Sequence, residues 1–226
     1  MNSLKSRARG ISLGLYAADL GDLRGAARKA ADWGCGILHY DVMDGVFVPG
    51  MTAGPGVVAA TDIGLLRDVH LMVQDPGAHV GSYIKSGADM ICVHAESDNA
   101  GAAIAAIKAA DRPVLAGLAL MPGTTLDVAG PLLDLNPDMI LVLSLDPRTK
   151  TPPDITAACA RLRDLRARFG PDGPVLAFDG GVTMDSLDEI ANCAPDMIVS
   201  GSAVFGAPDP KTAFAVMARA IPTLQS

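Results

Sequence analysis

Short runs of Val, Ile, Leu and Met recur along the chain, each followed by an Ala-rich stretch with apolar residues at helical spacing. The runs at 11–16, 37–43, 68–73, 90–95, 113–119, 139–145, 175–179 and 197–200 read as strands. Between them, 19–33, 77–86, 100–110, 124–134, 154–169, 184–193 and 210–220 read as helices, whereas 55–66 has no clean helical pattern. A strand followed by a crossover helix, repeated, gives a parallel sheet, because parallel neighbours cannot be joined by a tight turn. Eight such units in 226 residues leave fewer than ~30 residues each, which suits a closed α/β architecture, the (β/α)8 TIM barrel. A doubly wound open sheet is the rival. It more often has fewer strands, and a nucleotide-binding one carries GxGxxG after its first strand, where this chain has AADLGD. No Pro-rich linker or low-complexity tract breaks the pattern, so 1–226 reads as one domain with a short flexible lead-in at about 1–9.

Composition narrows the class. Half of the residues are hydrophobic, which supports a large core and excludes a disordered chain. No apolar run reaches the ~18 residues of a membrane span. The net charge of −7 argues against nucleic acid as the main partner, since phosphate-backbone binders need a basic surface. A small anion can still be held where backbone N–H groups converge. The basic N-terminus, MNSLKSRARG, lacks the apolar segment of a secretory signal. Cysteines at 35, 92, 159 and 193 form no CxxC and read as free thiols, which places the protein in the cytoplasm.

In a barrel of this kind the active site lies at the carboxyl ends of the strands. The second predicted strand, ILHYDVM, puts His39, Asp41 and Met43 on one face by its period of two. His70 lies near the end of the third strand, His94 and Glu96 at the end of the fourth, and Asp179 at the end of the seventh. Two imidazoles and two carboxylates converging on one mouth suit a divalent ion such as Zn, Fe, Mn or Co. The competing reading makes each a separate polar residue satisfied by backbone or water. The Gly-rich segments DGG (179–181) and SGSAVFG (200–206) follow the last two strands, where barrels often bind phosphate. Tight turns that need Gly for positive φ explain the same segments equally well.

HYDVMDGVFVPG (39–50), VHLMVQDP (69–76), VHAES (93–97), FDGGV (178–182) and SGSAVF (200–205) together resemble the ribulose-phosphate 3-epimerase family, in order and spacing from about residue 11 to 210. The resemblance implies a TIM barrel of the ribulose-phosphate-binding type and an isomerase that inverts C3 of a ketose phosphate through an enediolate. It implies one divalent metal ion held by His39, Asp41, His70 and Asp179, with Asp41 and Asp179 as the acid/base pair. It further implies a small-molecule sugar-phosphate substrate and a homo-oligomer. Met43, Met72 and Met121 would wall the intermediate, and Gly180, Gly181, Gly201 and Ser202 would cradle the phosphate.

Departures from the family pattern bear on substrate. Leu13 and Gly14 stand where the family has Pro-Ser, Val46 replaces a His, Gly50 an Asn, and Met121-Pro122 an Asn-Pro pair. The Gly-rich loop after the sixth strand becomes DPRTKTPP (146–153), which has no glycine. Three readings stand. Arg148 and Lys150 replace amide donors and keep an anionic substrate; or the terminal group is not phosphate; or both side chains are solvated loop charges. Two other functions also remain open: an isomerase or aldol-type lyase on a related keto sugar, and a barrel that binds a sugar phosphate without turnover.

Overall fold

The computed structural model describes residues 2–52, 54–149 and 151–221. Eight parallel strands close into a barrel in sequence order: β1 (Gly10–Gly14), β2 (Ile37–Met43), β3 (Leu66–Met72), β4 (Met90–His94), β5 (Leu115–Leu120), β6 (Met139–Leu143), β7 (Val175–Asp179) and β8 (Met197–Ser200). Ten helices, α1 (Asn2–Arg7), α2 (Leu23–Asp32), α3 (Pro55–Ala60), α4 (Val80–Lys85), α5 (Ala100–Lys108), α6 (Leu126–Leu133), α7 (Ile155–Phe169), α8 (Leu187–Ala191), α9 (Ser202–Phe205) and α10 (Pro210–Ala220), are found among the described residues. None is long and apolar enough to cross a membrane.

The period of two divides each strand between two cores. Leu38, Tyr40 and Val42 of β2 join the layer between sheet and helices, as do Val69 and Leu71 of β3. The alternate positions point into the barrel, where Ile37, Leu66, Met90, Leu115, Met139, Val175 and Met197 fill the lower part. Towards the carboxyl ends the lining turns polar, with Ser12, His39, Asp68, His70 and His94 all buried. Such side chains persist in a core only when hydrogen-bonded. Acidic and hydroxyl caps start several of the outer helices: Asp22 accepts from Gly25 N–H, Thr125 from Val128 N–H and Asp154 from Ala157 N–H.

Three expectations change. Segment 1–9, read as a flexible lead-in, contains α1, and Leu4 and Ala8 pack onto the apolar base of the barrel interior. The stretch 55–66 opens with α3, started by Pro55, whose fixed φ suits a first helical position, and ends in a turn at Gly64. Cys159 on α7 and Cys193 just after α8 are joined by a disulfide with their Cα atoms 5.4 Å apart. The reading of four free thiols is therefore corrected: two neighbouring helices bring together cysteines 34 residues apart, which linear spacing does not reveal. With it goes the cysteine argument for a cytoplasmic location. Cys35 and Cys92 are free and buried.

Candidate active site and metal centre

Strand register assembles the centre. In the β2–β3 ladder His39 lies beside Asp68, Asp41 beside His70 and Met43 beside Met72, so one inward-facing row carries two imidazoles and two carboxylates. Asp179 enters from the end of β7. One donor atom each from His39, Asp41, His70 and Asp179 lies within 4.8 Å of the others. His39 Nε2 and His70 Nδ1 each sit 3.2 Å from Asp41 Oδ1, and His70 Nδ1 is 3.6 Å from Asp179 Oδ2.

Behind these four is a layer of partners, of which the sequence reading singled out His94 and Glu96 and overlooked the rest. His39 Nδ1 donates to Asp68 Oδ2 at 2.7 Å, and the Ser12 hydroxyl donates to the same oxygen at 2.8 Å. Asp68 Oδ1 is buried without a hydrogen-bond partner, so the carboxylate directs its charge at His39. The signal for Asp68 was present: in RDVHLM it stands two residues before His70, on the same face. Thr52, in the loop after β2, donates to the Asp41 carbonyl at 2.7 Å and accepts from Met43 N–H at 2.9 Å, which pins the end of the strand. Asp44 holds the same loop, accepting from the N–H groups of Val46, Phe47 and Gln74. His94 and Glu96 lie next to His70, as a supporting pair that does not reach the four-residue cluster.

The two acids are pushed in opposite directions. Burial works against ionisation of Asp41, but the His39 and His70 rings outweigh it and hold its carboxyl well below the usual range. Burial, reinforced by the Asp41 charge, raises Asp179. Burial alone would depress His39, yet the Asp68 and Asp41 carboxylates lift it well above an ordinary histidine. The donor set fits a divalent cation. Asp68 keeps the proton of His39 on Nδ1, so Nε2 is the atom offered to the centre, and two carboxylates supply compensating charge.

Above the centre opens a cavity of about 420 Å³ whose walls include Asp41, Asp179, Gly180, Gly181, Gly201 and Ser202. A smaller one of about 170 Å³ shares Asp41, Met43, Asp179 and Gly180 and adds His70 and Met72. Met72, Met121, Phe47 and Val48 form a separate buried apolar cluster with Met43 packed on it. The predicted metal ligands are thus brought together, and the predicted substrate-binding residues line one or other cavity with one exception. Arg148 lines neither cavity. Its guanidinium is clasped by Asp146, at 2.9 and 2.7 Å, and lies 5.9 Å from the centre of the Phe47 ring. Lys150 is outside the described residues.

The loop after β6 is tied back onto the ends of β6 and β7. Asp154 N–H donates to the Ser144 carbonyl, and Pro153 presses on Gly181, where an added Cβ would come within 2.5 Å of it at a φ of +63°. Gly14 is explained by a close approach: a Cβ there would stand 3.2 Å from Gly201 Cα, so β1 and β8 meet backbone to backbone.

The family model described as the Ribulose-phosphate 3 epimerase family matches residues 10–205. The chain belongs to the ribulose-phosphate 3-epimerase family. It is 37% identical over 220 residues to the ribulose-phosphate 3-epimerase of Mycobacterium tuberculosis, covering 92% of this chain and 91% of that one. The Bacillus subtilis enzyme of the same name is 30% identical over 211 residues, 90% of this chain and 95% of its own. Among solved structures, a 3-hexulose-6-phosphate synthase from Salmonella typhimurium superposes with a TM-score of 0.69 at 18% identity, over 94% of this chain and 98% of that one, a likeness of fold. As a member of the epimerase family the protein is a carbohydrate epimerase, an enzyme of the isomerase class.

Proposed function

We propose that the protein inverts C3 of a ketose phosphate, ribulose 5-phosphate or a near relative, by transferring protons between Asp41, Asp179 and the two faces of the sugar. The observation that carries this reading is the meeting of His39, Asp41, His70 and Asp179 at the barrel mouth, with Asp41 and Asp179 in the wall of the cavity of about 420 Å³. These four residues would hold one divalent ion of the Zn, Fe, Mn or Co type, which when bound supplies Lewis-acid stabilisation of the enediolate charge.

The chain's own residues account for the remaining chemistry. Inversion requires a base on one face of C3 and an acid on the other. Asp41, favoured as carboxylate, takes the proton; Asp179, favoured as carboxylic acid, returns one from the end of β7. In the reverse direction the two exchange roles. Met43, Met72 and Met121 keep water from the carbanionic centre and so prevent its loss to side reactions. Gly180, Gly181, Gly201 and Ser202 form the wall at which backbone N–H groups receive the phosphate. Arg148 stays at the rim with its fork occupied and its charge compensated by Asp146, so it contributes only weakly to holding the anion.

The test follows D-ribulose 5-phosphate and unphosphorylated D-ribulose by carbon NMR with the metal-loaded protein. Conversion of the phosphate to its C3 epimer, with the free sugar left unchanged, is expected. Appearance of an aldose phosphate or of shorter fragments would replace the epimerase reading with an isomerase or an aldol-type lyase.

A further inference from the structure

We propose that the Cys159–Cys193 bridge is a reversible fastener: closed, it holds the cavity wall at Gly181 in place, and opened by a dithiol reductant it lets that wall loosen. What the wall binds rests on the function proposed above; the fastening itself does not.

Gly181 is gripped from two helices. On one side stand Pro153 and Ile155, at the start of α7, so close that a Cβ on Gly181 would come within 2.5 and 3.1 Å of them. On the other side the Ser186 hydroxyl, one residue before α8, donates to the Gly181 carbonyl at 3.0 Å. Cys159 follows Ile155 by one turn on the same stripe of α7, and Cys193 lies just past the end of α8. The bridge thus ties together the two helices whose starts clasp Gly181. An exposed hydrogen bond of 2.7 Å from Thr156 to Glu189 joins the same helices, and such a contact adds little by itself.

Folding does not call for this bond. A chain of 226 residues, half of them hydrophobic, buries enough core to fold without a cross-link. The bond also sits where a reductant can reach it. Helix α8 has five residues, a length that frays without tertiary support, and Cys193 beyond it is 6% exposed against 1% for Cys159. Exchange begins when one thiolate of the reductant attacks Cys193 Sγ. The S–S bond breaks, and Cys159 leaves as a thiolate and takes up a proton. The second thiolate of the reductant then attacks the reductant sulfur of the mixed disulfide and releases Cys193. The Arg163 guanidinium, 4.0 Å from the Cys193 sulfur, stabilises that departing thiolate until it too is protonated. The protein gains two electrons and two protons, and the dithiol loses the same as it closes into a disulfide. Cys35 and Cys92 are thiols already, so reduction alters this bond alone.

The test compares three forms of the full chain: oxidised with glutathione disulfide, reduced with dithiothreitol, and the double variant Cys159→Ser, Cys193→Ser. Alkylation in denaturant should count two thiols in the oxidised wild type and four in the reduced one. Amide hydrogen exchange over 180–186 should be faster in the reduced wild type and in the variant than in the oxidised form. With metal-loaded protein, KM for D-ribulose 5-phosphate should rise about 2–10-fold on reduction, the worth of one weakened hydrogen bond, and fall back on reoxidation. The variant should show the raised KM and no response to dithiothreitol. Four thiols after oxidation, equal exchange in the two states, or a variant that still responds to dithiothreitol overturns the proposal. Faster exchange on reduction with KM unchanged, or with no turnover of the sugar phosphate at all, would overturn the reading of Gly181 as an anion wall and leave the fastener standing. Should the variant not fold, the reversible comparison on the wild-type chain still decides.

Discussion

On the β2–β4 side of the mouth polar side chains grip one another or the backbone at the strand ends, whereas the β6–β8 side is built from backbone turns and a returning loop. His39 is backed by Asp68 and Ser12, His70 by His94 and Glu96, and Asp41 is steadied through Thr52. Opposite them, Gly180, Gly181, Gly201 and Ser202 wall the larger cavity, and Pro153 leans on Gly181. Under the proposed function, the difference follows from what each half would do. Proton transfer and cation binding need atoms fixed to fractions of an ångström, while an anion is held by any cluster of N–H dipoles of the right curvature. On that proposal the loop after β6 can read DPRTKTPP while the β2–β4 half stays whole.

The largest effect is expected where the halves meet, at Asp179. Asp179→Asn should lower kcat for epimerisation by about 10²–10⁴-fold, measured with metal-loaded protein by coupled assay. A loss below tenfold would move the acid elsewhere. Next comes the support behind the chemistry. Asp68→Asn touches neither cavity yet should weaken Zn²⁺ binding by about 10–100-fold in calorimetry, while KM for the sugar phosphate at saturating metal stays close to wild type. An equal loss in both would mean that the two halves are not separable. On the opposite side, Arg148→Ala should raise KM by only about 2–5-fold, make it less sensitive to salt, and leave kcat and metal binding alone, as befits a rim charge. A tenfold or greater rise would show that Arg148 leaves Asp146 to grip the substrate.

The smallest effect concerns stability. Asp44 is held below the usual carboxylate range: partial burial opposes the shift, but hydrogen bonds from the N–H groups of Gln74, Val46 and Phe47 outweigh it. Because its folded value lies below its unfolded one, its contribution is complete above about pH 4 and fades as pH falls through the folded value. Asp44→Ala should cost about 1–2 kcal/mol in urea unfolding at pH 7. The gap should narrow below about pH 4, and one that stays constant down to pH 2 would contradict the assignment.

The sequence made the barrel legible because alternation and crossover length are local properties, and seven of the helical stretches and all eight strands declared themselves that way. His39, Asp41, His70 and Asp179 were legible as a group because the period of two puts His39 and Asp41 on one face of β2, His70 lies near the end of β3 and Asp179 ends β7, and strand ends in this fold converge. Asp68 went unread although it shares a face with His70, because a buried carboxylate is recognised only once the neighbouring ladder puts His39 beside it. The Cys159–Cys193 bridge depends on how two outer helices pack, and Arg148 on a turn that folds it back onto Asp146. Neither has a period to read. The helix at Asn2–Arg7 escaped for a related reason: its one apolar residue is Leu4, which with Ala8 just past its end packs on the base of the barrel but is too little to mark an amphipathic face.

The measurement closest to the central claim is proton exchange at C3. With metal-loaded protein and D-ribulose 5-phosphate in heavy water, NMR should find one deuterium at C3 of both epimers at equilibrium, and none when either Asp41 or Asp179 is replaced by Asn. Protium retained at C3 with the wild-type protein, or deuterium appearing only at C1, would contradict an epimerase whose two aspartates serve opposite faces of that carbon.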